Sequence, residues 1–282
     1  MPRPALPNAH PTAIISDDAV LPPDVKVGPF AIIEGPVTVG PGCVIGPHAH
    51  LTGRLTLGAN NQVGTGVILG AAPQHLGYKG EATALEIGDG NVFREYASVH
   101  RGMPAPMGAG VTRVGHRNFF MGGCHVAHDC VIGSDVVLAN SALVAGHSVI
   151  GDRAFLSGNT ALHQFCRVGR LAFISGISAT SKDVPPFFVM QGINTIRGLN
   201  LVGMKRAGMP PAERLAIRKA YRILFMTRPV QPLPLALLRI ESELGTLPAV
   251  RELLEFIRSS KRGICVTDRF VAEGDEDASD AA

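Results

Sequence analysis

Ten histidines occur in the 282 residues, and four of them cluster: His125, His128, His147 and His163. Imidazole titrates near neutral pH and can act as a general base toward a hydroxyl. His128 is followed by Asp129, a carboxylate able to fix the ring's tautomer and raise its basicity. The spacing adds a second signal. Eighteen residues beyond His128 lies Gly146, beside His147; eighteen further lies Gln164, beside His163. A chain that returned to one edge every eighteen residues would line these side chains along it. Three such histidines could also ligate zinc, but no usual ligand motif accompanies them and no metal is expected. No Ser-centred nucleophile elbow lies nearby.

The elements that must hold this row are legible as a repeat. Every sixth residue from Ile15 to Leu69 is a branched aliphatic: Ile15, Leu21, Val27, Ile33, Val39, Ile45, Leu51, Leu57, Val63, Leu69. The phase resumes at Ile87, Phe93 and Val99, shifts around Met103–Thr112, and returns from Val114 to Ile174. The residue two before the aliphatic is usually small, as at Ala31, Ala49 and Ala142, and the residue after it is often Gly. Aliphatic and small residue, two apart, share the inward side of a short strand. Glycine after them is read as a supplier of turn conformations. The period predicts a parallel β-helix of three six-residue sides per coil. Cys43, Cys124, Cys130 and Cys166 occupy the small inward position and read as core residues.

Two stretches break the repeat, roughly 70–86 and 103–112, and read as loops leaving the prism. Loops on a rigid scaffold are where function concentrates. After Pro185-Pro186 the spacing becomes helical. Helices are expected from Pro210-Pro211 to about Thr227, over Leu233–Leu244, and over Pro248–Ser260. The organisation expected is therefore a solenoid over 1–192, a helical domain over 193–270, and a disordered acidic tail over 271–282.

Composition fits. Gly 33 and Pro 21 among 282 residues argue against a helical bundle. No apolar run approaches the ~18 residues that would span a bilayer. Met1–Thr12 holds four prolines and no apolar core of a secretory signal, so a cytoplasmic protein is expected. Five cysteines, an odd number, also argue against a disulfide framework. Charge is uneven. Residues 1–192 carry 12 basic and 12 acidic side chains, 193–270 carry 14 and 6, and 271–282 carry none and 5. The basic region has no interleaved aromatics, so no nucleic-acid partner is expected; an acidic protein fits it.

Several runs carry a family resemblance: Ala9-His10-Pro11-Thr12-Ala13, Ile87-Gly88-Asp89, His100-Arg101-Gly102, Ala127-His128-Asp129-Cys130, Leu138-Ala139-Asn140, Ala145-Gly146-His147, His163-Gln164-Phe165-Cys166 and Asp183-Val184-Pro185-Pro186. Along nearly the whole chain, to Arg258–Gly263, the sequence resembles the UDP-N-acetylglucosamine O-acyltransferase family, whose reaction opens lipid A biosynthesis. The resemblance implies a left-handed parallel β-helix, a homotrimer, and active sites between subunits. It implies transfer of a 3-hydroxyacyl chain from acyl carrier protein to the sugar 3-hydroxyl. The carrier's phosphopantetheine thioester is the co-substrate, and no cofactor is needed.

The same resemblance implies the roles of residues. His128 matches the general base, Asp129 its orienting carboxylate, and the Gly146 amide the oxyanion donor. Gln74, His100, His125, His147, Gly158, His163 and Gln164 match substrate-binding positions. Asn200 and Arg206 match the nucleotide end. Phe173 and Gly176 match positions that limit acyl length, with glycine admitting a longer chain. Arg214, Arg218, Lys219 and Arg222 are candidate contacts for the acidic carrier protein. The chain departs from the family at three points. His75 and Gly77 stand where well-studied members have Asp and Lys, with Lys79 two residues on, and Ala207 follows Arg206 where a second arginine is common. These departures motivate two alternatives: an acyltransferase acting on another nucleotide sugar, such as a 3-amino sugar, or a non-catalytic trimeric binding protein.

Overall fold

The structure is a computed structural model and describes residues 6–227, 229 and 231–268. The acidic tail expected at 271–282 lies outside the described residues.

Strands, mostly of two residues, stack into three parallel sheets that form the faces of a prism. The first face has nine strands, from Ile14–Ile15 to Ala179–Thr180. The second has seven, from Val37–Val39 to Arg167–Val168. The third has ten, from Lys26–Val27 to Ile196–Leu199, and its last pairing is antiparallel. Successive coils pair at a register of 18, as in Ile32 with His50 and His125 with Leu143. The six-residue aliphatics fill the interior; Ile33, Leu51, Leu69, Val126, Val144 and Ile174 are fully enclosed. All five cysteines are free and buried. Burial pushes the Cys124 and Cys130 thiols up to about 12, so they stay protonated core atoms.

The register explains the behaviour of the repeat at the two interruptions. Ile68 pairs with Ser98, 30 positions on instead of 18, an excess of 12. Twelve is two whole hexads, so the sixfold phase survives. Ser98 pairs with His125, 27 positions on, an excess of nine. Nine is one hexad and a half, so the phase slips by three. Strands reclaim the ends of both stretches, through Ala71, from Ala84, and from Val111. Both insertions leave from the edge between the first and second faces.

The glycines after the aliphatics act differently from the expectation. Gly40, Gly46 and Gly151 are outside the left-handed region; a Cβ there would come within 2.6–2.8 Å of backbone atoms of the next coil. They permit close stacking of coils. The left-handed turn residue lies two positions later and mostly has a side chain: Phe30, His48, Asn60, Asp129 and His147. The turn's first position needs no N–H, and proline holds it at Pro29, Pro41 and Pro47.

Four helices follow among the described residues: α1 (Leu201–Arg206), α2 (Pro211–Phe225), α3 (Leu233–Leu244) and α4 (Pro248–Arg258). Proline opens α2 and α4 at a position whose N–H would be unpaired anyway. Helices α2 and α4 end about two residues short of the expected limits. The short α1 was not expected. The helices join the solenoid core as one apolar cluster. Arg167 ties α4 down: Nε donates to buried Asp183 at 2.8 Å and Nη2 donates to the Phe256 carbonyl at 2.7 Å. No helix among the described residues is long and apolar enough to cross a membrane.

Candidate active site

One edge of the prism, between the first and second faces, gathers the chemistry. Its turns are 127–130, 145–148 and 163–166 on successive coils, and both insertions lie on the coils just before them. Two facts of the turn place the side chains. His128, Gly146 and Gln164 hold its first position, and Asp129, His147 and Phe165 hold its left-handed second position. Coil stacking then sets each imidazole against the next. The His128 and His147 rings meet edge to face at 5.1 Å, and His147 stacks on Phe165 at 4.3 Å.

His128 Nδ1 and Asp129 Oδ2 are 2.8 Å apart. Asp129 is almost wholly buried, and His128 keeps 12% of its side chain exposed. The pair is thus shielded on the carboxylate side and open on the other. Across the open side lies Gly146. A Cβ on Gly146 would sit 2.8 Å from His128 Nε2 and 2.7 Å from Cε1, so only glycine lets the ring rest there. The Gly146 amide donates to no other described group. From Gly146 a groove of about 540 Å³ runs past Ala145, Ala161 and Ala179 to His163, Gln164 and Ile193. Its floor is small and apolar, able to take a hydrocarbon chain.

The neighbouring histidines are held neutral. Burial first, then the nearby His125, lowers His100 to about 4. Burial and His128 lower His125, whose Nδ1 lies 2.8 Å from the Ser98 hydroxyl. Burial also lowers His147, against the opposing pull of Asp129. Neutral rings can donate and accept at once. His128, Asp129 and His147 have ligand atoms within 4.8 Å of one another. Both oxygens of Asp129 already accept backbone N–H groups, from Met103 and Ala109, which suits an orienting carboxylate better than a metal ligand. His163 stands outside this trio.

The expected site residues divide into groups within one chain. His128, Asp129, Gly146 and His147 are in contact, with His163 and Gln164 lining the groove. His100 and His125 meet at 4.8 Å at the first face. Gln74 is exposed on the first insertion, whose His75 reaches back to the His128 ring at 5.8 Å. His75, one of the departures from the family pattern, contacts the candidate base because the insertion folds over the edge. Gly158 and Gly176 sit on a different edge, between the third and first faces, with Phe173 stacked on Phe155 at 5.3 Å. Asn200 caps α1, accepting from Gly203 N–H at 2.9 Å and donating to the Leu171 carbonyl at 2.9 Å. Arg206 is exposed at a cavity of about 500 Å³ shared with Arg153 and Asp135. On α2, Arg218, Lys219 and Arg222 point outward, while Arg214 is half-buried. The Met103 and Ala109 amides that grip Asp129 have no signature in the sequence because they are backbone donors, and Thr112, whose hydroxyl accepts from the Asp129 N–H, is one threonine inside a stretch without the repeat.

A family profile described as "Udp N-acetylglucosamine O-acyltransferase; Domain 2" matches residues 183–265, and one for bacterial transferase hexapeptides matches 18–53. The acyl-[acyl-carrier-protein]--UDP-N-acetylglucosamine O-acyltransferase of Anaeromyxobacter dehalogenans is 45% identical over 256 residues, covering 90% of this chain and 98% of that one. The crystal structure of the UDP-N-acetylglucosamine O-acyltransferase from Moraxella catarrhalis superposes with a TM-score of 0.86 at 35% identity, covering 92% and 99% of the two chains. The Francisella novicida enzyme gives 0.88 at 32% identity, covering 94% and 96%. With identity of this degree along almost the full length of its relatives, the chain belongs to the UDP-N-acetylglucosamine O-acyltransferase family.

Proposed function

We propose that the protein transfers a 3-hydroxyacyl chain from acyl carrier protein to the 3-hydroxyl of UDP-N-acetylglucosamine, with His128 as general base. The observation that carries this reading is the line Asp129–His128–Gly146: a buried carboxylate, an imidazole, and a glycine with an unpaired amide packed against the ring.

The chemistry follows. The carboxylate holds His128 as the Nδ1–H tautomer, leaving Nε2 as proton acceptor. Nε2 takes the proton of the sugar hydroxyl as its oxygen attacks the thioester carbonyl. The carbonyl oxygen gains negative charge, which the Gly146 N–H stabilises by a hydrogen bond. Collapse breaks the C–S bond, and the proton on Nε2 passes to the departing sulfur. An ester and a free thiol result, with no cofactor beyond the carrier's own thioester. The alanine-floored groove beside Gly146 takes the acyl chain. The outward Arg218, Lys219 and Arg222 suit an acidic carrier protein.

The proposed assembly is a homotrimer working in the cytoplasm. Residues expected at one site lie on two edges of a single prism, His128 on one and Gly158 and Gly176 on another. A threefold assembly sets the first edge of one copy against the other edge of its neighbour. A 3-amino sugar nucleotide is the second reading, favoured by His75 and Gly77 standing where the family's Asp and Lys occur. Purified protein incubated with 3-hydroxyacyl carrier proteins and either acceptor tests both, product being separated and weighed by mass spectrometry. Transfer to UDP-N-acetylglucosamine is expected. Transfer to the amino sugar alone would replace the first reading with the second. Binding without transfer, in a folded trimer, would overturn both.

A further inference from the structure

Asp129 is held differently from its counterparts in the two following coils. In the two following coils, the left-handed turn residue donates its N–H to a carbonyl one coil earlier: His147 to His128 at 3.0 Å, and Phe165 to Gly146 at 3.0 Å. The coil before Asp129 has no such turn, because the second insertion occupies that place. Instead the Asp129 N–H donates to the hydroxyl of Thr112 at 2.8 Å. Thr112 is fully buried. The carboxylate is also gripped from the same insertion. Met103 N–H donates to Oδ2 at 2.9 Å, and Ala109 N–H donates to Oδ1 at 2.8 Å. Gly108 lies so close that a Cβ there would fall 2.5 Å from Oδ2 and 2.6 Å from the Met103 carbonyl. Among the described residues, every hydrogen bond to this carboxylate apart from that of His128 comes from 103–112.

We propose that the second insertion is a positioning clamp for Asp129, with Thr112 as its key side chain and Gly108 as the gap that lets it close. This rests on the reading of His128 as the base. Thr112 keeps the Asp129 backbone left-handed (φ 58), where the side chain can meet His128 Nδ1. The two amides immobilise the carboxylate. The imidazole proton is then confined to Nδ1, and Nε2 stays free toward Gly146. Thr112 is a positioning residue; it touches no substrate in this role. The insertion thus gives Asp129 two backbone donors and a hydroxyl acceptor, where each of the next two turns of this edge offers its left-handed residue one carbonyl.

The test compares Thr112→Val, Thr112→Ser and Gly108→Ala with the parent protein in two measurements. The first is the ¹⁵N chemical shift of the His128 ring nitrogens in the free trimer at alkaline pH, which reports the nitrogen that carries the proton. The second is kcat and KM for the sugar nucleotide. The expected result for Thr112→Val is a shift from pure Nδ1–H to a mixed tautomer, with kcat down about 10- to 100-fold and KM unchanged, a loss of the size seen when an outer partner of a functional imidazole is removed. Thr112→Ser restores both. Gly108→Ala reproduces the valine result and serves if the valine protein does not fold. A lower kcat with an unchanged tautomer, or a valine variant with parental kcat, overturns the clamp. Absence of transfer by the parent protein overturns the base reading alone, because the tautomer measurement needs no substrate and still decides the clamp.

Discussion

Two edges of this prism are built from the same turn and put to opposite uses. At the edge between the second and third faces, Asn61, Asn91 and Asn118 occupy the small inward position and are buried. Each coil's side-chain oxygen accepts the backbone N–H of the next: Asn91 to Asn61 at 2.8 Å, Asn118 to Asn91 at 2.9 Å, Val136 to Asn118 at 2.7 Å. The ladder consumes its own polarity except at its last member, where Asn118 Nδ2 is buried without a partner. At the edge between the first and second faces, polar residues occupy the outward turn positions, and Cys130, Ser148 and Cys166 take the inward ones. Ring nitrogens and the Gly146 amide remain available there. Stability comes from polar groups turned inward and satisfied, reactivity from polar groups turned outward and left incomplete.

Substitutions should separate the two edges. The largest effect is expected from His128→Ala. Loss of a general base should lower kcat by about 10³-fold, while the thermal midpoint stays near that of the parent by calorimetry. A folded variant with parental turnover would remove His128 from the mechanism. Next is Gly146→Ala. Its Cβ would intrude on the His128 ring, and a displacement of about 1 Å should cost near 100-fold in kcat. Unchanged turnover would mean that the ring has room the structure does not show. Third is Asn91→Ala, on the opposite edge. It strips the Asn118 N–H of its acceptor, and an unsatisfied buried donor costs about 1–3 kcal/mol. Urea unfolding should show that loss, with kcat per folded molecule unchanged; a fall in kcat instead would break the division between the edges.

A fourth effect is in pH dependence. Burial depresses His100 from its ordinary 6.5 to about 4. Between those values the unfolded chain binds a proton that the folded chain refuses, so stability rises with pH in that window. The contribution is complete above 6.5 and is lost as pH falls toward 4. His100→Gln should flatten urea midpoints across that range. An unaltered slope would assign the acid sensitivity elsewhere.

Much of the solenoid is legible in the sequence, because one face of each short strand must be apolar and the period of six repeats that demand. The inward cysteines follow from the same rule. The start of α2 and both limits of α3 are legible for a local reason: proline fixes the first turn and periodic apolar residues mark the extent. Helix α1 is six residues long, too short for periodicity, and depends on Asn200 bonding across to Leu171. The glycines were misread because a close approach between coils leaves the same mark in a sequence as a left-handed turn. The asparagine ladder was missed because each asparagine alone looks like a surface residue.

The chain by itself determines the coil length, the inward and outward alternation, and the recurrence of histidines every eighteen residues or so. These are one-dimensional facts, and the prism only displays them. Tertiary structure decides which edge both insertions cover, that His75 folds back onto His128, and that backbone amides from a glycine-rich loop grip Asp129. Those contacts join atoms with no fixed spacing along the chain and no side-chain signature, so only packing creates them.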